Sequence, residues 1–345
     1  MGATSELFRI VWGLWHFFII RGDLAKAQEL SWEIAQLGEP LQDPSLAPHV
    51  HRTLSETALW RGEFAVAQRE SLKCFVAAGP PPKFIPGVQG PPVMCGLWLA
   101  LALWHLGYPD QALARVDAAV ERAKESALLG DLGAALIFAA WVRLLRRETK
   151  TAREFAETAM QFNVERGPAF HVAISDVLLG SALVAQKHDE SGLTKVRDGI
   201  AAYGATGAGI FQPWFFVLLA AAHAQLGEPE AGLAALAEAE TRSGQSGERW
   251  PEAEIHRLKG ELMLSLEGPD AGAAEQCFRR SIEVAREQQA RSPELRAATS
   301  LARLWAEWDE RKKAYDLLAP VYGWFSEGFD TADLKDAKAL LDEIS

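Results

Sequence analysis

Short turn-like clusters recur along this chain at a nearly fixed spacing: Arg21-Gly22-Asp23, Arg61-Gly62-Glu63, Leu106-Gly107-Tyr108-Pro109, Arg147-Glu148, Lys187-His188-Asp189, Leu226-Gly227-Glu228-Pro229, Glu267-Gly268-Pro269 and Trp308-Asp309-Glu310. With residues 22, 62, 107, 147, 187, 227, 268 and 309 as markers, the intervals are 40, 45, 40, 40, 40, 41 and 41. A period held this closely over 345 residues means one structural unit copied about eight times.

Each marker follows an apolar run of helical length, such as Trp98 to Leu106, and precedes a second run with small or apolar residues at i, i+4 and i+7: Ala27, Ser31 and Ile34; Ala67, Ser71 and Cys74; Ala112, Val116 and Ala119; Ala274, Phe278 and Ser281. That spacing lies on one helix face, and the small leading residue lets two helices approach closely. Each unit is therefore a helix hairpin. β-branched alternation is nearly absent, and the Gly and Pro punctuation falls between helix-length segments. The pattern predicts an all-α, right-handed α-solenoid of about eight hairpins. The repeats fall near 6–38, 47–78, 92–126, 131–166, 169–204, 210–244, 251–290 and 293–325 as a single superhelical domain, with a capping helix over 331–343. Pro80-Pro81-Pro82 and Pro91-Pro92 bracket one long connector on a rim.

Composition narrows the function. A net charge of -11 without a Lys/Arg block argues against nucleic acid, whose phosphates demand clustered positive charge. The apolar stretches Ile10 to Ile20 and Val93 to Leu106 are too short to span a bilayer. Cysteines 74, 95 and 277 form no CxxC pair, which indicates neither a disulfide framework nor a cysteine zinc site and points to the cytoplasm.

The Leu-Gly, Ala and Phe positions of the repeats look like tetratricopeptide (TPR) repeats stretched to about 40 residues. More specifically, the segments 106–115, Gly247-Glu248-Arg249-Trp250, 256–262, 294–305 and 318–335 resemble the C-terminal repeat region of large bacterial proteins. Those proteins carry a class III adenylate cyclase domain and then a signal-transduction ATPase domain ahead of the repeats. The resemblance implies a regulatory module with catalysis elsewhere. No GxxxxGK[ST] phosphate loop is present in this chain, and no paired metal-binding aspartates of a cyclase are identifiable.

No catalytic residue, cofactor site or metal site is expected. His49 and His51 lack a third ligand at suitable spacing and sit near Pro44 and Pro48 at a helix start. No GxSxG elbow singles out a serine. Arg21-Gly22-Asp23 is explained by its place in the repeat as a hairpin turn. With the first helix of each hairpin on the concave side, Trp12, His16, Arg52, Glu56, Trp60, Trp104, His105 and Trp141 fall on groove-facing turns. These residues either fill the hairpin cores or form an aromatic half-groove, followed by a charged half from Glu254, Arg257, Glu261, Arg296 and Arg303. The expected partner is a protein or peptide in that groove. A pocket closed around a small molecule, an enzyme and a scaffold using its convex face are the rival readings.

The two ends carry further expectations. Ile10 to Ile20 is apolar around most of its circumference, so Ile10, Trp12, Phe17 or Ile19 would be exposed on a terminal repeat and would dock an upstream ATPase or cyclase segment or a second copy. At the other end, Asp330 is expected to cap a helix from Thr331. Leu334, Ala337, Leu340 and Leu341 would form its apolar stripe, while Asp333, Lys335, Asp336, Lys338 and Asp342 would face water.

Overall fold

The computed structural model describes residues 4–41, 43–77, 89–126, 128–187 and 190–345, and it contains seventeen helices and no strand among them. They pair as hairpins: α1 (Ser5–Arg21) with α2 (Leu24–Leu41), α3 (Ala47–Trp60) with α4 (Phe64–Val76), α5 (Pro91–His105) with α6 (Pro109–Lys124), and α7 (Leu129–Leu145) with α8 (Thr149–Arg166). The series continues through α9 (Ala169–Lys187) and α10 (Glu190–Ala205), α11 (Gln212–Gln225) and α12 (Pro229–Ser246), α13 (Glu252–Leu264) and α14 (Ala271–Glu287), and α15 (Arg291–Glu307) and α16 (Arg311–Tyr322). A last helix, α17 (Ala332–Ile344), packs on α15 and α16. The architecture is an α-solenoid. Most of the long connector, 78–88, and the marker at His188 and Asp189 lie outside the described residues.

The periodic markers have one physical cause. Residues 22, 62, 107, 147, 227, 268 and 309 all have positive φ, between 61° and 92°. In the first hairpin the Gly22 N–H donates to Ile19 O and the Asp23 N–H to Phe18 O, the paired bonds of a left-handed helix stop. The same two bonds recur at Gly62 and Glu63, Gly107 and Tyr108, Arg147 and Glu148, Gly227 and Glu228, and Asp309 and Glu310. Asp23 then starts the next helix, its Oδ1 accepting from the Lys26 N–H at 3.0 Å. The Arg21-Gly22-Asp23 triplet is thus one helix stop joined to one helix start.

The second-helix faces expected from spacing are buried. Ala27, Ser31 and Ile34, Ala67, Ser71 and Cys74, Ala112, Val116 and Ala119, and Ala274, Phe278 and Ser281 are all shielded from solvent. Ser55 and Ser71 share a hydrogen bond of 2.6 Å between α3 and α4, and Ser281 donates to Ala253 O at 2.6 Å between α13 and α14. Small hydroxyl residues therefore permit close packing and find hydrogen-bond partners on the facing helix. α5, apolar on every side, is buried along almost its whole length, as such a helix must be.

Contacts between hairpins distant in sequence determine the shape. The terminal carbonyls of α1, α3, α5 and α7 have no partner within their own helices. Ile20 O accepts from the Gly209 N–H at 2.8 Å, Trp60 O from the Arg249 N–H at 3.1 Å, Trp104 O from the Ser292 hydroxyl at 2.6 Å, and Leu145 O from the Arg296 guanidinium. The first three of these bonds each join hairpins five apart, so successive turns of the superhelix touch. Gly328 N–H to Asp110 Oδ2 at 2.8 Å, with Glu327 accepting from the Asp110 and Gln111 N–H groups at 3.0 Å, extends this seam to the C-terminal segment.

Several expectations at the two ends need correcting. Trp12 and Ile19 of α1 are buried, whereas Ile10 (62% exposed), Leu14 and Phe17 (55% exposed) form an outward ridge. Thr331, not Asp330, precedes α17, and its hydroxyl donates to Gly328 O at 2.6 Å while Asp330 is fully exposed. Leu334, Ala337, Leu340 and Leu341 are buried as expected, joined by Ile344. Asp333 does not face water: it is turned inward, 12% exposed, against Arg296 of α15 and Arg147 of the turn after α7. Among the described residues one helix, α9, contains a window, Ala169–Gln186, long and apolar enough to cross a membrane, and 56% of it is buried within the fold.

Candidate ligand recess

The aromatic candidates sit where the superhelix closes on itself. Trp60 packs edge-on to Trp98 at 5.2 Å, to Phe211 at 4.8 Å and to Trp250 at 5.6 Å between ring centres. Trp141 stacks on Phe138 and Trp214, and Trp214 continues to Trp250 at 4.9 Å. Trp12, Trp60, Trp104 and Trp141 are all buried, so this half of the concave side is filled by its own rings. Offset and edge-on pairs of this kind add roughly 0.5–1.5 kcal/mol each beyond the area they bury. The aromatic half-groove weighed in the sequence is thus packed core in this structure.

Polar residues of that half are buried with the rings. Arg52 stacks over Trp12 at 5.4 Å, donates to Gln89 O at 2.6 Å and lies 3.6 Å from Glu56. Burial pushes the Glu56 carboxyl up to about 7, although Arg52 pulls the other way. His16, stacked on Trp12, is lowered to about 4 by burial and by the Arg52 charge. His105 is likewise lowered to about 4 by burial, and its ring lies flat on Phe64 at 4.1 Å with Nδ1 2.8 Å from Leu101 O. All three are held by the core rather than presented to a ligand.

A second buried carboxylate governs the loop between α12 and α13. Glu248 accepts from the Phe211 N–H at 3.1 Å and from the Trp250 indole at 3.0 Å, and burial raises it to about 7. Phe211 has φ 73°, a left-handed backbone that is costly for a bulky residue. The Glu248 carboxylate helps to secure it, fixing Phe211 and Trp250 in the ring stack. Residue spacing did not reveal this residue, because one partner, Phe211, lies 37 residues earlier at the start of α11, and the other, Trp250, is a neighbour in the same loop.

The charged candidates are brought together. Glu254, Arg257, Glu261, Arg296 and Arg303 all line one concave recess of about 610 Å³, whose wall is completed by residues of α7, α9, α11 and α17 and by the turn after α7. The first helices of five consecutive hairpins supply the wall, because in each hairpin the first helix is the inner one. The floor is apolar, with Val217, Leu218, Leu258 and Trp214. Above it runs a ladder of ion pairs. Arg257 holds Glu254 through two bonds of 2.7 and 2.9 Å and also bonds Glu261, which accepts from Ser300 at 2.9 Å. Arg296 stacks over Trp104 at 4.8 Å and pairs with Asp333 at 2.8 Å. Arg147 reaches Asp336 at 2.6 Å and Asp333 at 3.3 Å.

Burial and charge compete in this ladder, and charge wins. Burial alone would push Glu254 up, but Arg257 and Arg296 hold it below the usual carboxylate range. Burial likewise opposes the Arg257 charge, which Glu254 and Glu261 more than restore. Both partners therefore stay ionised in a half-buried wall, a fixed pattern of donors and acceptors above an apolar floor. Arg147, Asp333 and Asp336 were not among the sequence candidates, since only the superhelical path brings residues 147 and 333 together.

The described residues contain no cluster of three His, Cys, Asp or Glu side chains suited to a metal ion. His51 pairs with Glu70 at 3.0 Å, and Cys74 and Cys95 are buried.

No protein-family model matches the sequence, and no curated protein matches it. Solved structures do. A Rap protein complexed with Competence and Sporulation Factor is similar over 99% of this chain and 98% of that chain, with TM-score 0.62 and 12% identity. The APC/C hetero-tetramer Cut9–Hcn1 matches at TM-score 0.58 and 11% identity, covering 92% of this chain and 59% of that one. The apo quorum sensor NprR from B. thuringiensis matches at TM-score 0.51 and 11% identity over 99% of both chains. At such identities the likeness is one of fold, the helical-repeat solenoid.

Proposed function

We propose that this chain is a non-catalytic regulatory repeat module that receives a peptide, or an exposed segment of another protein, in the concave recess between α7 and α17. The observation that carries this reading is the recess itself. Its apolar floor suits side chains, while its ladder of ionised Arg and Glu groups suits the backbone and charged ends of an extended segment. A closed small-molecule pocket would call for continuous aromatic lining, and here Trp214 is the aromatic residue of a wall otherwise built from charged, aliphatic and hydroxyl side chains. The solved neighbour at TM-score 0.62 is a complex with Competence and Sporulation Factor, and another is a quorum sensor; both accord with a regulatory role.

The output in this reading is control of an ATPase or adenylate cyclase domain, as the sequence resemblance implies, with any such catalysis residing outside these residues and with the protein acting in the cytoplasm. Binding at the recess would alter superhelix curvature, because the touching turns couple hairpins five apart.

Selection of a random peptide library on the purified protein tests the reading. Enriched peptides should bind the wild type and lose binding to Ala221→Trp, which places a large ring in the recess. Peptides that bind both proteins equally, or no enrichment over several rounds, would refute it.

A further inference from the structure

Four arginines of the recess, Arg147, Arg257, Arg296 and Arg303, face four carboxylates among the described residues. Two of those carboxylates, Asp333 and Asp336, belong to α17, one turn apart on the same face. Without this pair, the wall would present four arginines against two carboxylates. The C-terminal helix therefore supplies the negative charge that neutralises an otherwise cationic surface.

Arg147 has an unusual backbone for its residue type. It is the left-handed turn residue of its hairpin, at φ 61°, where the corresponding residue is glycine in five other hairpins. A side chain in that conformation costs about 1–2 kcal/mol. Among the described hairpin turns the other non-glycine residue is Asp309, a residue type that tolerates this conformation. What Arg147 supplies in return is its guanidinium, half exposed, held by both α17 aspartates. Arg303, on the same wall, is exposed and makes no ion pair, hydrogen bond or ring contact among the described residues.

Resting on the reading of the recess as a peptide receptor, we propose that its ligand is an acidic peptide segment, and that Asp333 and Asp336 are its built-in competitors. A carboxylate of the ligand replaces Asp336 on Arg147, while Asp333, 12% exposed, keeps its place on Arg296 and opposes the ligand through its charge. A second ligand carboxylate pairs with Arg303, and alternate apolar side chains seat on Val217, Leu218 and Leu258. α17 need not leave, because its apolar stripe stays in the core and Asp336 is already 46% exposed and free to turn to water. Arginine suits this exchange, since its planar fork accepts one carboxylate as readily as another.

The test uses three fluorescein-labelled decapeptides, (Glu-Leu)5, (Gln-Leu)5 and (Lys-Leu)5, titrated into the full chain at low salt and followed by anisotropy. The acidic probe should bind Asp333→Asn/Asp336→Asn about tenfold tighter than the wild type, and Arg303→Gln or Arg147→Gln several-fold more weakly. The gain should shrink as salt is added, and the Gln probe should not distinguish the proteins. Should the double variant melt early, Asp336→Asn alone carries the same expectation. Equal affinity of wild type and aspartate variants for the acidic probe overturns the competitor role. A Gln probe that binds as tightly as the acidic one, and is blocked by Ala221→Trp, overturns charge selection while leaving the peptide-receptor reading intact. Binding of no probe, together with no library peptide sensitive to Ala221→Trp, removes both.

Discussion

Gly209 sits against Arg21 across one full turn of the superhelix, so closely that a β-carbon on Gly209 would lie 2.1 Å from Arg21 O. Backbone meets backbone there, because the Gly209 N–H also donates to Ile20 O at 2.8 Å. Gly209→Val must push the two turns apart. A cost of roughly 2–3 kcal/mol is expected from the forced shift, read as a lower Tm. An unchanged melting curve would show that the seam at α1 contributes nothing.

The strain at Arg147 can be measured directly. Arg147→Ala and Arg147→Gly lose the same ion pairs to α17, but only alanine keeps a β-carbon at φ 61°. The glycine variant should be the more stable of the two by about 1 kcal/mol, the left-handed penalty less the entropy glycine adds to the unfolded chain. Denaturant titration of both proteins gives the difference, and its absence would mean the turn relaxes.

Glu248 should make stability depend on pH. Its folded-state value, about 7, lies above the ordinary 4.5, so between those values the folded chain holds a proton that the unfolded chain has lost. Its contribution is fully present below about 4.5 and is lost as pH rises through about 7. Relative to Glu248→Gln, the wild type should lose on the order of 3 kcal/mol between pH 4.5 and pH 8. The buried histidines are common to both proteins and cancel. Parallel stability curves would place Glu248 in contact with solvent.

Removing residues 332–345 uncovers the faces of α15 and α16 and deletes five buried side chains, Leu334, Ala337, Leu340, Leu341 and Ile344. At roughly 1.5–3 kcal/mol for each of the larger ones, the last hairpin should not survive. Circular dichroism should register a loss of helix beyond the fourteen residues removed. A loss confined to those residues would show that the hairpin stands without its cap.

The outward ridge of Ile10, Leu14 and Phe17 gives α1 an apolar face in water. Such a face favours association, so the wild-type mass by light scattering should rise with concentration more steeply than that of Phe17→Ser. Identical, constant masses for the two proteins would leave the ridge without a role in self-association.

Much of this architecture is written locally. A left-handed residue follows the first helix of a hairpin, so turn signals at positions such as Gly22, Gly62 and Gly107 reveal the repeat. The i, i+4, i+7 pattern of Ala67, Ser71 and Cys74 is a one-helix property, which makes the buried faces legible as well. The charged members of the recess were also readable, because Glu254, Arg257 and Glu261 share one face of one helix, and Arg296 and Arg303 lie on the inner helix of the next hairpin.

The pitch of the superhelix is not local. It accumulates from small rotations between successive hairpins, set by the sizes of side chains at each interface, and no periodicity reports it. That pitch brings Trp60, Trp141 and Trp250 into one stack and turns a possible aromatic groove into core. It also carries Asp333, which faces water on a helical wheel, to Arg296 and to Arg147, 186 residues earlier. The repeated helix hairpins and their buried faces were thus determined by the sequence alone, since each depends on residues within a turn or two of one another. Which half of the concave surface stays open was decided only when distant turns of the superhelix met.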